Sequence, residues 1–299
     1  MNNCAGASVN NLKKGGNMNT HIKIVLLAVL VPVAVFCLLH IIISNSKLEV
    51  TSYEVSVESL DGFKIAQISD FHNSKMAENN EKIIAVLKET EPSIIVITGD
   101  LIDSGWTDVD VALDFVAELA AIAPCYYVNG NHESRVSEYA DLRRGLDELG
   151  VVVLEDSVAQ IEWQGHTLTL MGVSDPGFKA EYLTDAEEGV MRDALDTLAC
   201  DTDGFTVLLS HRPEFFETYA ECDIDLVFSG HAHGGQIRLP YVGGLYAPGQ
   251  GFFPKYDAGI FTSDGTTMIV SRGVGKSVFP IRFNNSPELV IVEFTVSDV

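Results

Sequence analysis

The sequence predicts an α/β domain that contains two sheets and follows one N-terminal membrane-spanning helix. Short apolar runs alternate with stretches whose apolar residues recur every three or four positions, a pattern typical of strands that alternate with helices. Near the N-terminus, residues 24–43 read IVLLAVLVPVAVFCLLHIII and contain no charged side chain. A run of this length is enough for a helix to cross roughly 30 Å of hydrocarbon.

We interpret the apolar segment at 24–43 as a membrane anchor that is retained rather than cleaved. It is longer than the usual apolar core of a signal peptide, and no small-residue cleavage site follows it. The alternative is a buried helix of a soluble protein, but this segment is apolar on all sides and lies at the N-terminus. A membrane span is therefore the better interpretation.

Basic residues are distributed unequally around this anchor. Lys13, Lys14 and Lys23 precede it, and only Lys47 follows it closely. The positive-inside rule therefore places the N-terminus in the cytoplasm and everything after the anchor outside it. We expect a single-pass protein of the cell membrane, a monomer with an extracytoplasmic main domain. Its predicted parts are a short cytoplasmic N-terminus at 1–23, the anchor at 24–43, a polar linker at 44–47 and one domain at 48–299.

The predicted domain is strongly acidic. From residue 48 onward it has 42 acidic and 15 basic residues, a formal charge of −27. Such a field repels nucleic acid and anionic lipid surfaces, so no nucleic-acid partner is expected. Cys125, Cys200 and Cys222 form no C-x-x-C pattern, which argues against a zinc knuckle and allows at most one disulfide. If the substrate is an anion, the protein needs a local cation to attract it.

The elements of the domain can be assigned in order along the chain. A strand-like alternation, LEVTSYEVSVES, follows the linker, and helical periodicity appears in NNEKIIAVLKET, VDVALDFVAELAAIA and SEYADLRRGLDELG, the last of which ends at Gly150. Buried strands are predicted for KIAQIS, SIIVIT, CYYVNG, FTVLLS and IDLVFS. The segment VVVLEDSVAQIEWQGHTLTLMGV predicts consecutive strands with a turn at Gln164-Gly165, and TTMIVSRGV and ELVIVEFTV add further strands.

Five of the predicted buried strands are followed at once by Asp, Asn or His. In open α/β sheets, sites form just beyond the carboxyl ends of strands. Each of these residues alone could be a cap, a turn residue or a surface side chain. Together they include five of the eight histidines, and glycines that allow close backbone approach accompany many of them. The residues are Asp70 and His72, then Asp100 and Asp103, Asn131 and His132, His211, and finally His231 and His233.

These blocks, taken in order, resemble the motifs of the calcineurin-like metallophosphoesterases. The matching patterns are D-x-H, G-D-x-x-D, G-N-H-E, a lone His and G-H-x-H-G-G, between about residues 64 and 237. The sequences SHRPE, GHAHGGQI and RGVG…PIRFNNSPEL are also similar to the membrane-anchored bacterial branch of that family. The resemblance implies a four-layer αββα sandwich and a phosphate-ester substrate.

The resemblance also implies a site for two divalent metal ions. It assigns Asp70, His72 and His233 to the first ion and Asn131, His211 and His231 to the second, with Asp100 between them. Carboxylate, amide and imidazole ligands without a thiolate suit manganese, iron or zinc. Two such ions opposite two carboxylates would provide the positive centre that this acidic domain otherwise lacks. Hydrolysis would then proceed by metal-activated hydroxide without a covalent intermediate.

His132 and Asp103 are the two candidate catalytic residues that are not assigned as ligands. The side chain of His132 diverges from that of its neighbour Asn131, so it can face the substrate. By resemblance His132 stabilises the phosphoryl charge or protonates the leaving oxygen, and Asp103 fixes its orientation. A histidine without a role in a loop is the alternative for His132.

Three competing motifs fail on single residues. The sequence RGVGKS at 272–277 would be a P-loop only with glycine at position 270, where Val270 stands. The glycines at 273 and 275 lack the third glycine of a dinucleotide fingerprint, and His132-Glu133 is followed by Val136 where a zinc protease needs histidine.

The substrate class is less constrained than the chemistry. Ser/Thr protein phosphatases of the superfamily carry Asp-Arg-Gly, whereas Asp103 is followed by Ser104 and Gly105. We expect a phosphodiesterase of cell-envelope or lipid-linked substrates; the alternatives are a phosphomonoesterase and a non-catalytic metal-binding scaffold. The segment Tyr241–Tyr256 contains five aromatic residues and could form a substrate wall, a membrane-facing lip or a plain connection.

Overall fold

The computed structural model describes residues 20–179, 184–198, 204–275 and 281–296. The chain forms two compact units, one up to Leu39 and one from His40 onward. Helix α1, Thr20–Ser46, begins in the first unit and ends in the second. In the part of the chain that the structure describes, α1 contains the one candidate membrane span, which is long and apolar enough to cross a membrane.

Helix α1 extends further than the sequence predicted. The prediction of a polar linker at 44–47 is wrong for the first three residues, because the helix continues to Ser46. The Asn45 side chain donates a hydrogen bond to the carbonyl oxygen of Ile41 at 2.7 Å, and the Ser46 hydroxyl donates one to that of Ile43 at 3.3 Å. These polar side chains bond to carbonyls of the last turns instead of breaking the helix.

The second unit contains two six-stranded sheets. The first sheet has the order β1-β16-β2-β3-β4-β5 and the second has the order β14-β15-β9-β8-β7-β6. The strands of the first sheet are β1 (Glu49–Ser56), β2 (Lys64–Ile68), β3 (Ile94–Thr98), β4 (Cys125–Val128), β5 (Val152–Val153) and β16 (Glu288–Thr295). Those of the second are β6 (Ser157–Trp163), β7 (His166–Gly172), β8 (Phe205–Leu209), β9 (Leu226–Ser229), β14 (Gly259–Ser263) and β15 (Thr266–Val270).

Short hairpins and five further helices complete the described fold. Two small antiparallel pairs of strands lie between β9 and β14 in the sequence. They are β10 (Arg238–Leu239) with β11 (Gly243–Gly244), and β12 (Tyr246–Ala247) with β13 (Gly251–Phe252). The helices are α2 (Ala77–Thr90), α3 (Val109–Ala120), α4 (Tyr139–Glu148), α5 (Thr184–Leu198) and α6 (Phe216–Ala220).

Three hydrophobic cores give the domain four layers. One core joins α2, α3 and α4 to the outer face of the first sheet, with Phe71, Phe115 and Leu142 among its buried residues. A second core lies between the two sheets and includes Val96 and Phe228. The third joins α5 and α6 to the outer face of the second sheet. This arrangement is the predicted αββα sandwich.

The predicted elements are confirmed in type and order, but α5, α6, β14 and the two small hairpins were not predicted. The five buried strands are β2, β3, β4, β8 and β9, and the left-handed backbone at Gly150 follows α4. Residues Gln164 and Gly165, both with positive φ, make the turn between β6 and β7. Helix α5 was not predicted, although Met191 and Leu195 are spaced four apart and both are buried. The predicted residue Cys200 lies outside the described residues.

Candidate metal centre

The candidate metal centre lies beyond the carboxyl ends of the central strands of both sheets. Strands β2, β3 and β4 are parallel neighbours, and so are β7, β8 and β9. Because parallel strands end at the same edge, each sheet presents its following loops on one side. The predicted residues all lie in these loops: Asp70, His72, Asp100, Asp103, Asn131 and His132 after the first sheet, and His211, His231 and His233 after the second.

Several of these residues have a left-handed backbone conformation, which is unusual for residues other than glycine. The φ angles are 54° at Asp70, 48° at His72, 52° at Asp100, 65° at His231 and 48° at His233. Such conformations cost about 1–3 kcal/mol each and persist only where surrounding contacts hold them. This concentration of strain at one site indicates a functional centre rather than ordinary turns.

Asp70, His72 and His233 form the first ligand group. The Nε2 atoms of His72 and His233 lie 3.2 Å apart, and His233 Nε2 lies 3.2 Å from Asp70 Oδ1. The Asp70 carboxylate is held by the Ser69 hydroxyl at 2.6 Å and by the backbone N–H of His231. The three donor atoms therefore converge on one point between the strand ends.

His211, His231 and Asn131 form the second group. His211 Nε2 lies 3.2 Å from Asn131 Oδ1 and 3.2 Å from His231 Nδ1. The other ring nitrogen of His211 lies 2.8 Å from the carbonyl oxygen of Thr98. Since that carbonyl only accepts, His211 carries a proton on Nδ1 and directs its Nε2 atom into the site.

Asp100 lies between the two groups. Its Oδ2 atom is 3.7 Å from His72 Nε2 in the first group and 3.2 Å from His211 Nε2 in the second. Its other oxygen, Oδ1, accepts a hydrogen bond from the backbone N–H of His132 at 2.9 Å. The carboxylate is thus placed so that a single oxygen atom can serve both groups.

The protonation of the site fits divalent cations. Burial, together with the charge of Asp100, raises the pKa of Asp70 to about 6, and burial lowers the pKa of His72 to about 4. Burial also lowers the pKa values of His231 and His233. At neutral pH these three imidazoles are therefore neutral and carry lone pairs, as metal ligands must.

His211 is the exception among the histidines. Burial lowers its pKa, but the charge of Asp100 and the hydrogen bond to it outweigh burial and raise the pKa to about 10. Among the described residues, no lysine or arginine forms an ion pair with Asp70 or Asp100. A protonated His211 offsets part of the charge of the two buried carboxylates, and a divalent ion that binds its Nε2 lone pair would displace that proton, so the donor set fits divalent metal ions.

His132 lies beside the ligands and is held by a contact that the sequence did not predict. The backbone N–H of Ser104 donates to His132 Nδ1 at 2.9 Å, whereas the Asp103 carboxylate lies 3.8 Å from that nitrogen. His132 Nδ1 therefore accepts its hydrogen bond from Ser104, and the orienting role of Asp103 stays a prediction. Because Nδ1 is an acceptor, the neutral ring carries its proton on Nε2, which is 4.0 Å from Asp100 Oδ2.

Two supporting groups near the site were missed by sequence reasoning. Glu133 is fully buried and accepts backbone hydrogen bonds from Asp100, Ile102 and Gly130. Burial, and secondarily the charge of Asp100, raises its pKa to about 8. Glu133 is the fourth residue of the G-N-H-E motif. Because no metal-ligand role was assigned to this position, the motif itself indicated a supporting structural role.

The second missed group is an ion-pair network behind His231. The Arg212 guanidinium donates to Asp175 Oδ2 at 2.5 Å and to Glu214 Oε1 at 3.2 Å. Glu214 Oε1 in turn lies 3.8 Å from His231 Nε2. Both Arg212 and Glu214 belong to the SHRPE sequence, but Asp175 lies in a loop after β7 that carried no signal.

A glycine next to Asn131 gives a first test of the metal centre. A Cβ atom on Gly130 would lie 2.6 Å from the Asp100 backbone nitrogen and closer still to its Oδ1 atom. Because it displaces Asp100, Gly130→Ala should lower metal affinity roughly 10–100-fold, as loss of supporting contacts to ligands typically does. Chelator competition measures this affinity.

The matched control for Gly130→Ala is Gly189→Ala in α5. No atom lies within 4 Å of a Cβ at position 189. We expect unchanged metal affinity and a gain of about 0.5–1 kcal/mol in stability, since alanine is the better helix former. Equal metal affinity in the two variants would contradict the placement of Asp100.

A cleft of about 550 Å³ adjoins the first ligand group. It is lined by the ligand His72, by Asp103 and by residues of the loop before α3. The Trp106 side chain in that loop is 87% exposed. An open cleft of this size can admit a substrate to the ligands.

Comparisons with known proteins agree with this geometry. The family model described as calcineurin-like phosphoesterase matches residues 63–235, more than half of the chain. An uncharacterized metallophosphoesterase of Aquifex aeolicus is 33% identical over 256 residues, which cover 82% of this chain and 91% of that protein. Phosphodiesterase YaeI of Escherichia coli is 28% identical over 241 residues, covering 77% of this chain and 82% of its own.

One vertebrate relative is described as a transmembrane protein. The transmembrane protein with metallophosphoesterase domain of Danio rerio is 28% identical over 242 residues, which cover 78% of this chain and 53% of that protein. The extent of the family match and the identity to the Aquifex aeolicus protein are sufficient to assign the family. The chain belongs to the calcineurin-like phosphoesterase family and is a metallophosphoesterase, a hydrolase of phosphoesters.

Proposed function

We propose that this protein is a membrane-anchored, binuclear phosphodiesterase whose domain at 48–299 lies outside the cytoplasm. Its proposed substrates are phosphodiesters of the cell envelope or of lipids. The observation that carries the proposal is the position of Asp100, which lies within 3.7 Å of ligand nitrogens in both groups. A single carboxylate placed in this way suits two cations side by side, the arrangement of two-metal hydrolases.

The residues of the site divide into two ligand sets around a shared member. Asp70, His72 and His233 would hold one ion, Asn131, His211 and His231 the other, and Asp100 both. Divalent manganese, iron or zinc suits these oxygen and nitrogen donors. When bound, such ions supply Lewis acidity toward phosphoryl oxygens and make hydroxide available near neutral pH.

His132 is proposed to donate a hydrogen bond to the phosphoryl group of the substrate. Its Nε2–H faces the site because Nδ1 accepts from the Ser104 N–H. From a position 4.0 Å from Asp100 Oδ2, this N–H can stabilise the charge on a phosphoryl oxygen. Asp103 Oδ2, 3.5 Å from His72 Nδ1 and 3.8 Å from His132 Nδ1, faces both rings and is proposed to position them.

Substitution of His132 tests this role separately from metal binding. His132→Ala should lower diester turnover by roughly 10²–10³-fold, the usual cost of removing one donor aimed at developing negative charge. Metal content should be unchanged, because this histidine belongs to neither ligand set. The control is His166→Ala, since His166 is exposed at the start of β7. A loss of metal in His132→Ala would show that this residue is a ligand instead.

A diester substrate is supported by the departure from protein phosphatases and by one relative. Ser104 stands where those enzymes carry arginine, and the Escherichia coli relative is named a phosphodiesterase. Manganese-dependent hydrolysis of bis-p-nitrophenyl phosphate, compared with p-nitrophenyl phosphate, distinguishes the two substrate classes. Faster monoester turnover would favour a phosphomonoesterase, and cleavage of neither by the metal-loaded full chain would favour a scaffold.

The extracytoplasmic placement needs a test of its own. It is supported by Lys13, Lys14 and Lys23 before the apolar segment and by the helix that follows them. Protease added to intact cells should degrade the domain at 48–299. Degradation only after lysis would overturn this topology without affecting the proposed chemistry.

A further inference from the structure

Several large apolar side chains are exposed on the segment from β10 to β13. We refer to Leu239, Tyr241, Val242, Tyr246, Phe252 and Phe253 as the aromatic face. The Tyr241 side chain is fully exposed and that of Phe252 is 71% exposed. None of these residues lines the described cleft beside His72, so the cleft gives no support to a substrate wall at this segment.

The aromatic face is built on an ordered backbone. The hairpin β10–β11 is fixed by the buried Asp257 carboxylate, which accepts from the Arg238 side chain at 2.9 Å and from Gly244 N–H at 2.6 Å. In the next hairpin the rings of Tyr246 and Phe252 lie 5.4 Å apart, edge to face. Apolar residues presented by such hairpins are a surface feature, not a plain glycine-rich connection.

The aromatic face is connected to the end of helix α1. The backbone of Phe283 accepts from Arg238 N–H at 3.0 Å, and the ring of Phe283 lies 5.1 Å from that of His40. The adjacent residue, Arg282, offers its carbonyl oxygen to the Asn45 side chain at 2.9 Å. The last turns of the candidate span and the start of the aromatic segment therefore contact the same short loop.

The charges around this loop differ from those of the domain as a whole. The chain has 42 acidic residues, but none occurs at 236–256 or at 265–287, the two segments that meet at this loop. Arg238 and Lys255 lie in the first segment, and Arg282 lies in the second. Glu49, which follows the end of helix α1 closely, is paired with Arg272 at 3.3 Å, so the repulsion expected between an acidic domain and lipid headgroups is reduced beside this loop.

We propose that the aromatic face lies in the headgroup layer of the bilayer that holds helix α1. Tyrosine favours this layer because its ring is buried while its hydroxyl remains hydrated, and phenylalanine and leucine bury apolar surface there. The bilayer is the occupant that the structure favours, because the face shares a loop with the end of the span and lacks acidic residues. The proposal rests on the proposed membrane anchoring but not on the proposed reaction.

Tryptophan fluorescence of the full chain in nanodiscs tests this proposal. Phe252→Trp adds a reporter to the aromatic face, Leu38→Trp adds one to helix α1, and Val152→Trp adds one at the exposed strand β5 as the negative control. Each variant is compared with the parent, which has two tryptophans. Lipids brominated near the headgroup should remove roughly half or more of the emission added by Phe252→Trp, since aromatic residues at the interface lie at that depth.

The three positions separate the outcomes. Quenching at 252 but not at 152 supports the aromatic face as a membrane contact. Quenching at 38 without quenching at 252 overturns the proposal while the anchor stands, and absence of quenching at 38 overturns the anchoring itself. If emission at 252 is insensitive to lipid but changes with protein concentration in detergent, a second copy of the chain covers the face and the proposal is also overturned.

Discussion

Asp100→Asn is expected to lower phosphodiester turnover by at least about 10³-fold, because it removes the charge that can serve both ligand groups. Stabilisation of several kcal/mol is typical of metal-ion catalysis, and each 1.36 kcal/mol corresponds to a factor of ten in rate. The amide that replaces Asp100 keeps an oxygen able to accept from His132 N–H, at 2.9 Å in the parent protein. The fold should therefore persist while the chemistry fails.

Metal affinity should fall in the same variant. Loss of an outer partner of a ligand typically costs roughly 10–100-fold in affinity, and loss of a charged ligand common to both groups should cost more. Metal analysis of the purified full chain and chelator competition measure this loss. Asp114→Asn, which makes the same charge change at an exposed position of α3, should leave both quantities unchanged. Retention of all metal with a rate within tenfold of the parent would contradict the shared position of Asp100.

Glu133→Ala is expected to be the most destabilising substitution near the site. Its carboxylate accepts three backbone hydrogen bonds, from Asp100 N–H at 2.9 Å, Ile102 N–H at 3.0 Å and Gly130 N–H at 2.7 Å. Alanine leaves all three donors buried without a partner, at about 1–3 kcal/mol for each. We expect a loss of about 3–5 kcal/mol, comparable to breaking a buried ion pair.

Two variants show whether this loss comes from the hydrogen bonds. Glu133 Oε2 accepts two of the three hydrogen bonds, and the side-chain oxygen of glutamine in Glu133→Gln can keep both. The NH2 group of that glutamine would then face the backbone N–H of Ile102, so the third hydrogen bond is lost. An intermediate loss of roughly 1–3 kcal/mol follows. Glu118→Ala, exposed on α3, should change stability by no more than about 0.5 kcal/mol.

Thermal unfolding of the full chain in detergent measures this series. For a domain of this size, each kcal/mol lowers Tm by roughly 2–4 °C, so the alanine variant at position 133 should unfold about 10 °C earlier than the parent. The order of Tm should be parent, glutamine variant, alanine variant. Equal Tm values for parent and alanine variant would mean that the three donors find other partners.

The sequence predicted those parts of the site in which the residue type and the adjacent strand lie in the same short stretch of chain. Asp70, Asp100 and His211 each follow a run of apolar strand residues, and the parallel order of the strands brings their ends together. Strand identity and the positions of the candidate ligands were therefore contained in short stretches of sequence. The same reasoning placed the candidate ligands at strand ends in both sheets, and their binding of metal stays a prediction.

The parts that could not be predicted depend on contacts distant in sequence or on the backbone alone. Arg212 and Asp175 are 37 positions apart, and nothing in either stretch specifies the other. The bond from Ser104 to His132 uses a backbone N–H, which every residue except proline has, so residue type carried no signal. Similarly, the end of helix α1 was missed because Asn45 reads as a linker residue until its bond to Ile41 is known.

The parallel pairing of β1 with β16 determines when the first sheet can be completed during synthesis. Glu49–Ser56 pairs with Glu288–Thr295 along its whole length, and the Thr51 hydroxyl donates to Glu288 across 237 positions. At 5–20 residues per second, β1 waits on the order of ten seconds or longer for its partner. Throughout this interval the nascent chain exposes an unpaired strand edge, which is prone to aggregation. Completion of the domain is thus coupled to release of its last strand.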